Sequence, residues 1–315
     1  MEPITFQPLY MERVWGGREL ARVYGRHLPT PGRPYGESWE IVDREPEQSV
    51  VDEGELAGMS LHDLWTRRRE AVFGEGYDEH PRFPILIKVL DARADLSIQV
   101  HPPAQLAAVL GGEPKTEMWH IADCEAGAKL YVGLKAGVTR AGFEQAIHMG
   151  TVAECVHALT PQPGDSILIE SGRLHAIGAG FLIHEIQQNS DTTYRVFDWN
   201  RTGLDGKPRQ LHIAESLASI DYADHEPTMD APDGETLAAC PYFKTTRKDL
   251  AAGDTIGNPV AGRFSIVIVV DGSLLSAAGR VLEKGRFILL PRDASPLTAQ
   301  QTASVLLVTL PVRLV

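Results

Sequence analysis

Between Leu96 and His101 the chain alternates, with Leu96, Ile98 and Val100 set against Ser97, Gln99 and His101. Successive side chains of a strand point to opposite faces, so this pattern predicts a strand with one apolar and one wholly polar face. Lys115 to His120 repeats it and puts Lys115 and Glu117 on one side. Further strands are predicted over residues 4–15, over Gly36 to Val42 and from Pro84 to Leu90. Others follow at Lys129 to Leu134, after the Pro163-Gly164 turn, and over 180–201, where Asn189-Ser-Asp191 breaks the run into two. Helical spacing predicts short helices at Arg18 to Tyr24, Ser60 to Glu70 with Ser60 as N-cap, 103–110, 139–147, 152–158 and 212–220. Asp221 to Glu235 is acidic, Pro-rich and short of large aliphatics, which places a linker over 226–240. Beyond it, Phe264 to Val270, Leu282 to Pro291 and Ser304 to Leu310 have the rhythm of a second β unit. The expected division is therefore 1–225, the linker 226–240, and 241–315, in a mainly β chain with a few short helices.

Composition narrows the function. The 315 residues carry 43% hydrophobic and 23% charged side chains, as soluble globular proteins do. The formal charge of −12 argues against nonspecific binding to nucleic acid or an anionic membrane, and means that any site for an anion must gather its own cations. Three cysteines, Cys124, Cys155 and Cys240, lie far apart with no metal or redox spacing. No basic-then-apolar leader or membrane-length run is present, so the expectation is a cytoplasmic protein.

The polar faces carry the candidate chemistry. Gln99, His101 and Glu117 are nitrogen and oxygen donors of the kind a borderline ion such as zinc accepts. A third strand is needed to close such a site. Pro163-Gly-Asp-Ser-Ile-Leu-Ile-Glu-Ser-Gly-Arg-Leu-His175 resembles the second sequence motif of the cupins, with Glu170 where that motif often carries proline. The resemblance implies a small jelly-roll barrel holding one metal, with His175 as a ligand. With no histidine after His225, the C-terminal unit is expected to be a degenerate, metal-free second cupin.

Four segments taken in order resemble the short bacterial form of the type I phosphomannose isomerases. They are Trp15-Gly-Gly with Gly36-Glu-Ser-Trp, Lys88 through His101-Pro, Lys115-Thr-Glu, and Leu174-His-Ala-Ile-Gly through Arg195. The resemblance implies one zinc per chain on Gln99, His101, Glu117 and His175. It also implies a catalytic Arg195, and Lys88, Ser97 and Lys115 around the phosphate of a small phosphosugar. The reaction implied exchanges mannose 6-phosphate and fructose 6-phosphate through a cis-enediol. For the proton-transferring group the sequence leaves Asp191, Glu185 and Lys115 open, the last on condition that the metal and burial depress its pKa. Longer relatives usually carry a histidine where this chain has Pro114, so no role of that histidine applies. Other functions stay in view: a cupin oxygenase on His101, Glu117 and His175, against which Gln99 speaks, or a noncatalytic sugar-binding cupin. His120, His148, His157, His184 and His212 read as structural or surface groups, and Trp15 and Trp39 as pocket or core.

Overall fold

The computed structural model describes residues 1–77 and 80–311. By contacts the chain divides into two units, one of Tyr10–Ser38 with Lys88–Asp230, the other of Met1–Leu9, Trp39–Ile87 and Ala231–Val315. This differs from the expected succession of 1–225, 226–240 and 241–315. Residues 39–87 group with the C-terminal part because Trp65, Phe73, Tyr77 and Phe83 share an aromatic cluster with Phe264, and Phe73 lies 5.0 Å from it between centroids. Ile4 and Thr5 likewise pair with Leu289 and Ile288.

The predicted ligands stand on two sheets that enclose one core. The five-stranded sheet runs Tyr194–Phe197, Ile98–Val100, His175–Ile177, Leu130–Leu134, Val156–Leu159. The six-stranded sheet runs Leu9–Gly17, Tyr35–Ile41, Ile85–Ala92, Phe181–Gln188, Glu117–Cys124, Ser166–Ile169. Leu90, Trp119, Ile121, Leu130, Val132, Ile167, Ile177 and Ile183 fill the space between them. Along the same inward faces this core gives way to polar groups. Glu117 lies two residues before Trp119, Glu185 two after Ile183, and Lys88 two before Leu90.

The alternation at 96–101 is therefore inverted relative to a surface sheet. Ile98 and Val100 face outward into a second core with Phe143, Val152 and Val156, covered by the helix Arg140–Met149. The polar side chains face the barrel interior. That helix begins where Thr139 accepts a hydrogen bond from the Gly142 amide at 3.2 Å and ends on Gly150 in the left-handed conformation. The helix expected at 152–158 is instead one turn of 3-10 helix, Val152–Cys155, followed by the strand Val156–Leu159. Pairing of Leu130 with Leu159 and Tyr131 with Ala158 overrides the local helical spacing.

In the other unit a six-stranded and a four-stranded sheet enclose Val267, Val269, Leu274, Leu282, Ile288, Leu290, Leu297, Val305 and Leu307. Its interior is packed with aliphatic side chains where the first unit holds donors. Among the described residues no helix is long and apolar enough to cross a membrane.

Candidate active site

Strand pairing brings the predicted donors together. His175 is paired in register with Gln99, and Gln99 with Arg195, across three adjacent strands. Glu117 comes from the facing sheet, and His101 follows the strand Ile98–Val100. The donor atoms of His101, Glu117 and His175 lie within 4.8 Å of one another, and all three side chains are buried. Both imidazole Nε2 atoms are 3.6 Å from Glu117 Oε1.

The tautomers follow from what stands behind the rings. His101 Nδ1 donates to the Thr192 carbonyl and His175 Nδ1 to the Arg173 carbonyl, each at 2.8 Å, which leaves both Nε2 lone pairs aimed at the cluster. Burial and the neighbouring His101 hold His175 neutral, pushing its pKa down to about 3; burial and Lys115 lower His101 too. Gln99 completes the group, with its amide nitrogen 3.3 Å from His175 Nε2 and its oxygen accepting from the Ser97 hydroxyl at 3.1 Å. Two neutral imidazoles, a carboxylate and a carboxamide are a donor set for one divalent ion.

A cavity of about 440 Å³ opens onto this cluster, and it is lined by Lys88, Ser97, Lys115, Glu185, Asp191 and Arg195 among others. Lys115 Nζ contacts Glu117 Oε2 and lies 3.5 Å from His101 Nε2 and 3.6 Å from Glu185 Oε1. Burial alone would lower its pKa, but the charges of Glu117 and Glu185 outweigh it and raise it. In the metal-free site Lys115 is therefore held as an ammonium ion. Glu117 shows the reciprocal balance: burial would raise it, but Lys115 and then His101 hold it well below the usual carboxylate range.

Glu185 is the carboxyl set apart. Its Oε2 accepts from Trp119 Nε1 at 3.0 Å and its Oε1 is 3.8 Å from Lys88 Nζ. Burial first, then the charge of Glu117, push it up to about 7 against the two lysines. Asp191, also 3.8 Å from Lys88, has a 55% exposed side chain and sits toward solvent. Arg195 donates through Nε to Ser97 Oγ at 3.1 Å and through Nη1 to the Gln210 carbonyl at 3.0 Å.

Sequence reasoning missed other groups on the cavity wall. Trp119 fixes Glu185, Arg13 pairs with Glu37 at 2.9 Å, and Arg209 and His212 stand beside Arg195. Gly36 was one signal: a Cβ there would come within 2.6 Å of Arg13 and Trp15, which places the Trp15-Gly-Gly strand directly against it.

Comparison with known proteins agrees with this geometry. Residues 4–118 match the family model for the phosphomannose isomerase type I catalytic domain. Mannose-6-phosphate isomerase ManA of Bacillus subtilis is 35% identical over 92% of this chain and 93% of its own length. The mannose-6-phosphate isomerase of Streptococcus mutans is 37% identical over 92% of each. The crystal structure of the mannose 6-phosphate isomerase from Bacillus subtilis superposes with a TM-score of 0.88 at 30% identity, covering 98% of this chain and 100% of that one. The chain belongs to the type I phosphomannose isomerase family.

Proposed function

We propose that this protein is a zinc-dependent, cytoplasmic aldose–ketose isomerase that interconverts mannose 6-phosphate and fructose 6-phosphate through a cis-enediol. The observation that supports this most is a buried donor cluster with both imidazole lone pairs directed inward, opening onto a cavity with a separately held carboxyl. Gln99, His101, Glu117 and His175 would hold the ion. When bound there, zinc would supply Lewis acidity to polarise the substrate's carbonyl.

The chain's own residues do the rest. Turning the Gln99 carboxamide over brings its oxygen toward His175 and its NH2 toward Ser97, which frees the Ser97 hydroxyl hydrogen for a substrate oxygen. Glu185 takes the proton from C2 and returns it to C1; a carboxyl near pKa 7 is effective in both directions at neutral pH. A second proton moves from the C2 hydroxyl to the carbonyl oxygen, with the buried ammonium of Lys115 as the adjacent acid. Arg195 supplies positive charge as the enediolate develops. Lys88 binds substrate hydroxyls, and Asp191 orients Lys88. The oxygenase alternative requires dioxygen, which this proton exchange does not.

Zinc-loaded protein under anaerobic conditions should convert mannose 6-phosphate to fructose 6-phosphate. With substrate deuterated at C2, part of the label should reach solvent, since the carboxyl can exchange while the enediol persists. Absence of anaerobic conversion would remove this reading, and complete retention of label in all conditions would replace Glu185 by a hydride shift.

A further inference from the structure

The two oxygens of Glu185 meet different surroundings. Oε2 accepts from Trp119 Nε1 at 3.0 Å. Oε1 lies 3.6 Å from Lys115 Nζ and 3.8 Å from Lys88 Nζ, beyond direct hydrogen-bond length, toward two lysines that line the cavity. The indole is placed by the sheet. Trp119 and Glu185 stand opposite one another in register on neighbouring antiparallel strands, which puts both side chains on one face, and Ile167 pairs with Trp119 from the other side. Trp119 is buried in the core with Leu90, Ile121 and Ile177 and meets the His175 ring edge-on at 5.4 Å between centroids. Packing on both the core and a candidate ligand keeps the N–H aimed at Oε2.

An indole nitrogen can only donate, whereas a hydroxyl, water or amide partner could also accept. The hydroxyl oxygen of a carboxylic acid is a poorer acceptor than its carbonyl oxygen. A donor-only partner on Oε2 therefore makes Oε2 the carbonyl oxygen whenever Glu185 is protonated, and the proton sits on Oε1. The carboxyl thus has one oxygen for the sheet and one for the cavity.

We infer that Trp119 is a positioning residue for the isomerisation: its N–H makes Oε1 the single oxygen of Glu185 that takes the proton from C2 and hands it to C1. This rests on the isomerase reading above, with Glu185 as the group that moves that proton. In the first step the C2–H bond breaks toward Oε1, its electron pair becomes the C1–C2 double bond of the enediol, and the carbonyl pair moves to O1, which takes a proton from Lys115. In the second the O2–H proton passes to Lys115, its pair forms the C2 carbonyl, and the enediol pair takes the proton from Oε1 to make the new C1–H bond. Both transfers use one oxygen on one face of the cis-enediol, with no rotation of the carboxyl between them.

The experiment compares zinc-loaded wild type and Trp119→Phe, which keeps a ring against His175 and removes the N–H, on mannose 6-phosphate deuterated at C2. At equal zinc content Trp119→Phe should lower kcat by about tenfold or more with KM within about threefold, the size of one hydrogen bond to a charged group. Its fructose 6-phosphate should also keep a smaller share of the label at C1, because a deuteron placed on Oε2 waits for the carboxyl to turn and exchanges with solvent meanwhile. A label share equal to that of wild type overturns the proposal even if kcat falls, since lost packing alone slows turnover without adding a second oxygen. Should Trp119→Phe fail to fold or to hold zinc, indole N–H spectra of 15N-labelled wild type and Glu185→Ala decide: one of the five tryptophan signals should shift when its acceptor is removed, and five unmoved signals overturn the proposal. An inactive wild type overturns the isomerase reading and this inference with it, whereas an active wild type matched by Trp119→Phe in kcat and label overturns this inference alone.

Discussion

A metal ligand is made by its residue type and by the group behind it. His101 and His175 offer Nε2 only because backbone carbonyls of Thr192 and Arg173 hold their Nδ1 protons. Purified protein should therefore carry about one zinc per chain, and His101→Ala or His175→Ala should lose most of it by metal analysis, since each removes one of four donors. Retention of full zinc by both variants would falsify the ligand assignment. Arg195→Ala should lower kcat far more than it raises KM, because its charge matters most as the enediolate forms; steady-state kinetics with an unchanged kcat would take Arg195 out of the reaction. The ligand types were legible from alternation and from the cupin-like spacing. The carbonyls behind them were not, because every residue has one and only tertiary geometry decides where it points. Lys115 and Glu185 show the same limit: residue type alone leaves the charge balance at Lys115 open, whereas in the metal-free fold Glu117 and Glu185 raise it, and Glu185 is shifted by burial and by Glu117, 68 positions earlier in the numbering.

Elements were readable where the period was strong and less so where pairing decided. The strand Ile98–Val100 was predictable from alternation, but which face would be wet was not. Its apolar side is covered by Arg140–Met149, a helix that begins 40 positions after Val100, and its polar side is the barrel interior. At residues 156–159 a predicted helix yielded to a strand because a neighbour with open hydrogen-bonding groups was available. Close strand crossing is also an element-scale feature. At Gly36 a Cβ would lie 2.6 Å from both Arg13 Cβ and the Trp15 ring, nearer than real Cβ atoms come. Gly36→Ala should therefore cost about 1–3 kcal/mol by denaturant unfolding, the usual range for overpacking. It should also raise KM, because Arg13 and Trp15 line the cavity; a fully stable variant with unchanged kinetics would show that the strands separate freely.

On the scale of the whole molecule, the division into units was the least legible feature, since Ile4 finds Leu289 and Phe73 finds Phe264 across most of the chain. The site's titration is likewise a property of the assembled fold, and it fixes how stability depends on pH. In the metal-free protein His175 has a folded pKa of about 3 against an ordinary 6.5, and His101 is lowered as well. As pH falls below 6.5 the unfolded chain takes up protons that the folded one refuses, so stability is lost on acidification. Glu185 opposes this trend. Its folded pKa of about 7 exceeds the ordinary 4.5, so between those values the folded state holds a proton that the unfolded state has released, and its contribution grows as pH falls. Glu185→Gln removes that opposing term and leaves the histidines. Metal-free Glu185→Gln should therefore lose stability more steeply than wild type between pH 6.5 and 4.5, while near pH 8 it should be the more stable of the two, because the wild type then buries an ionised carboxylate near Glu117. Chemical denaturation of the chelated proteins across this range gives both slopes; parallel curves would mean that Glu185 does not hold its proton in the folded state, and with that its role as the group that carries the C2 proton would be lost.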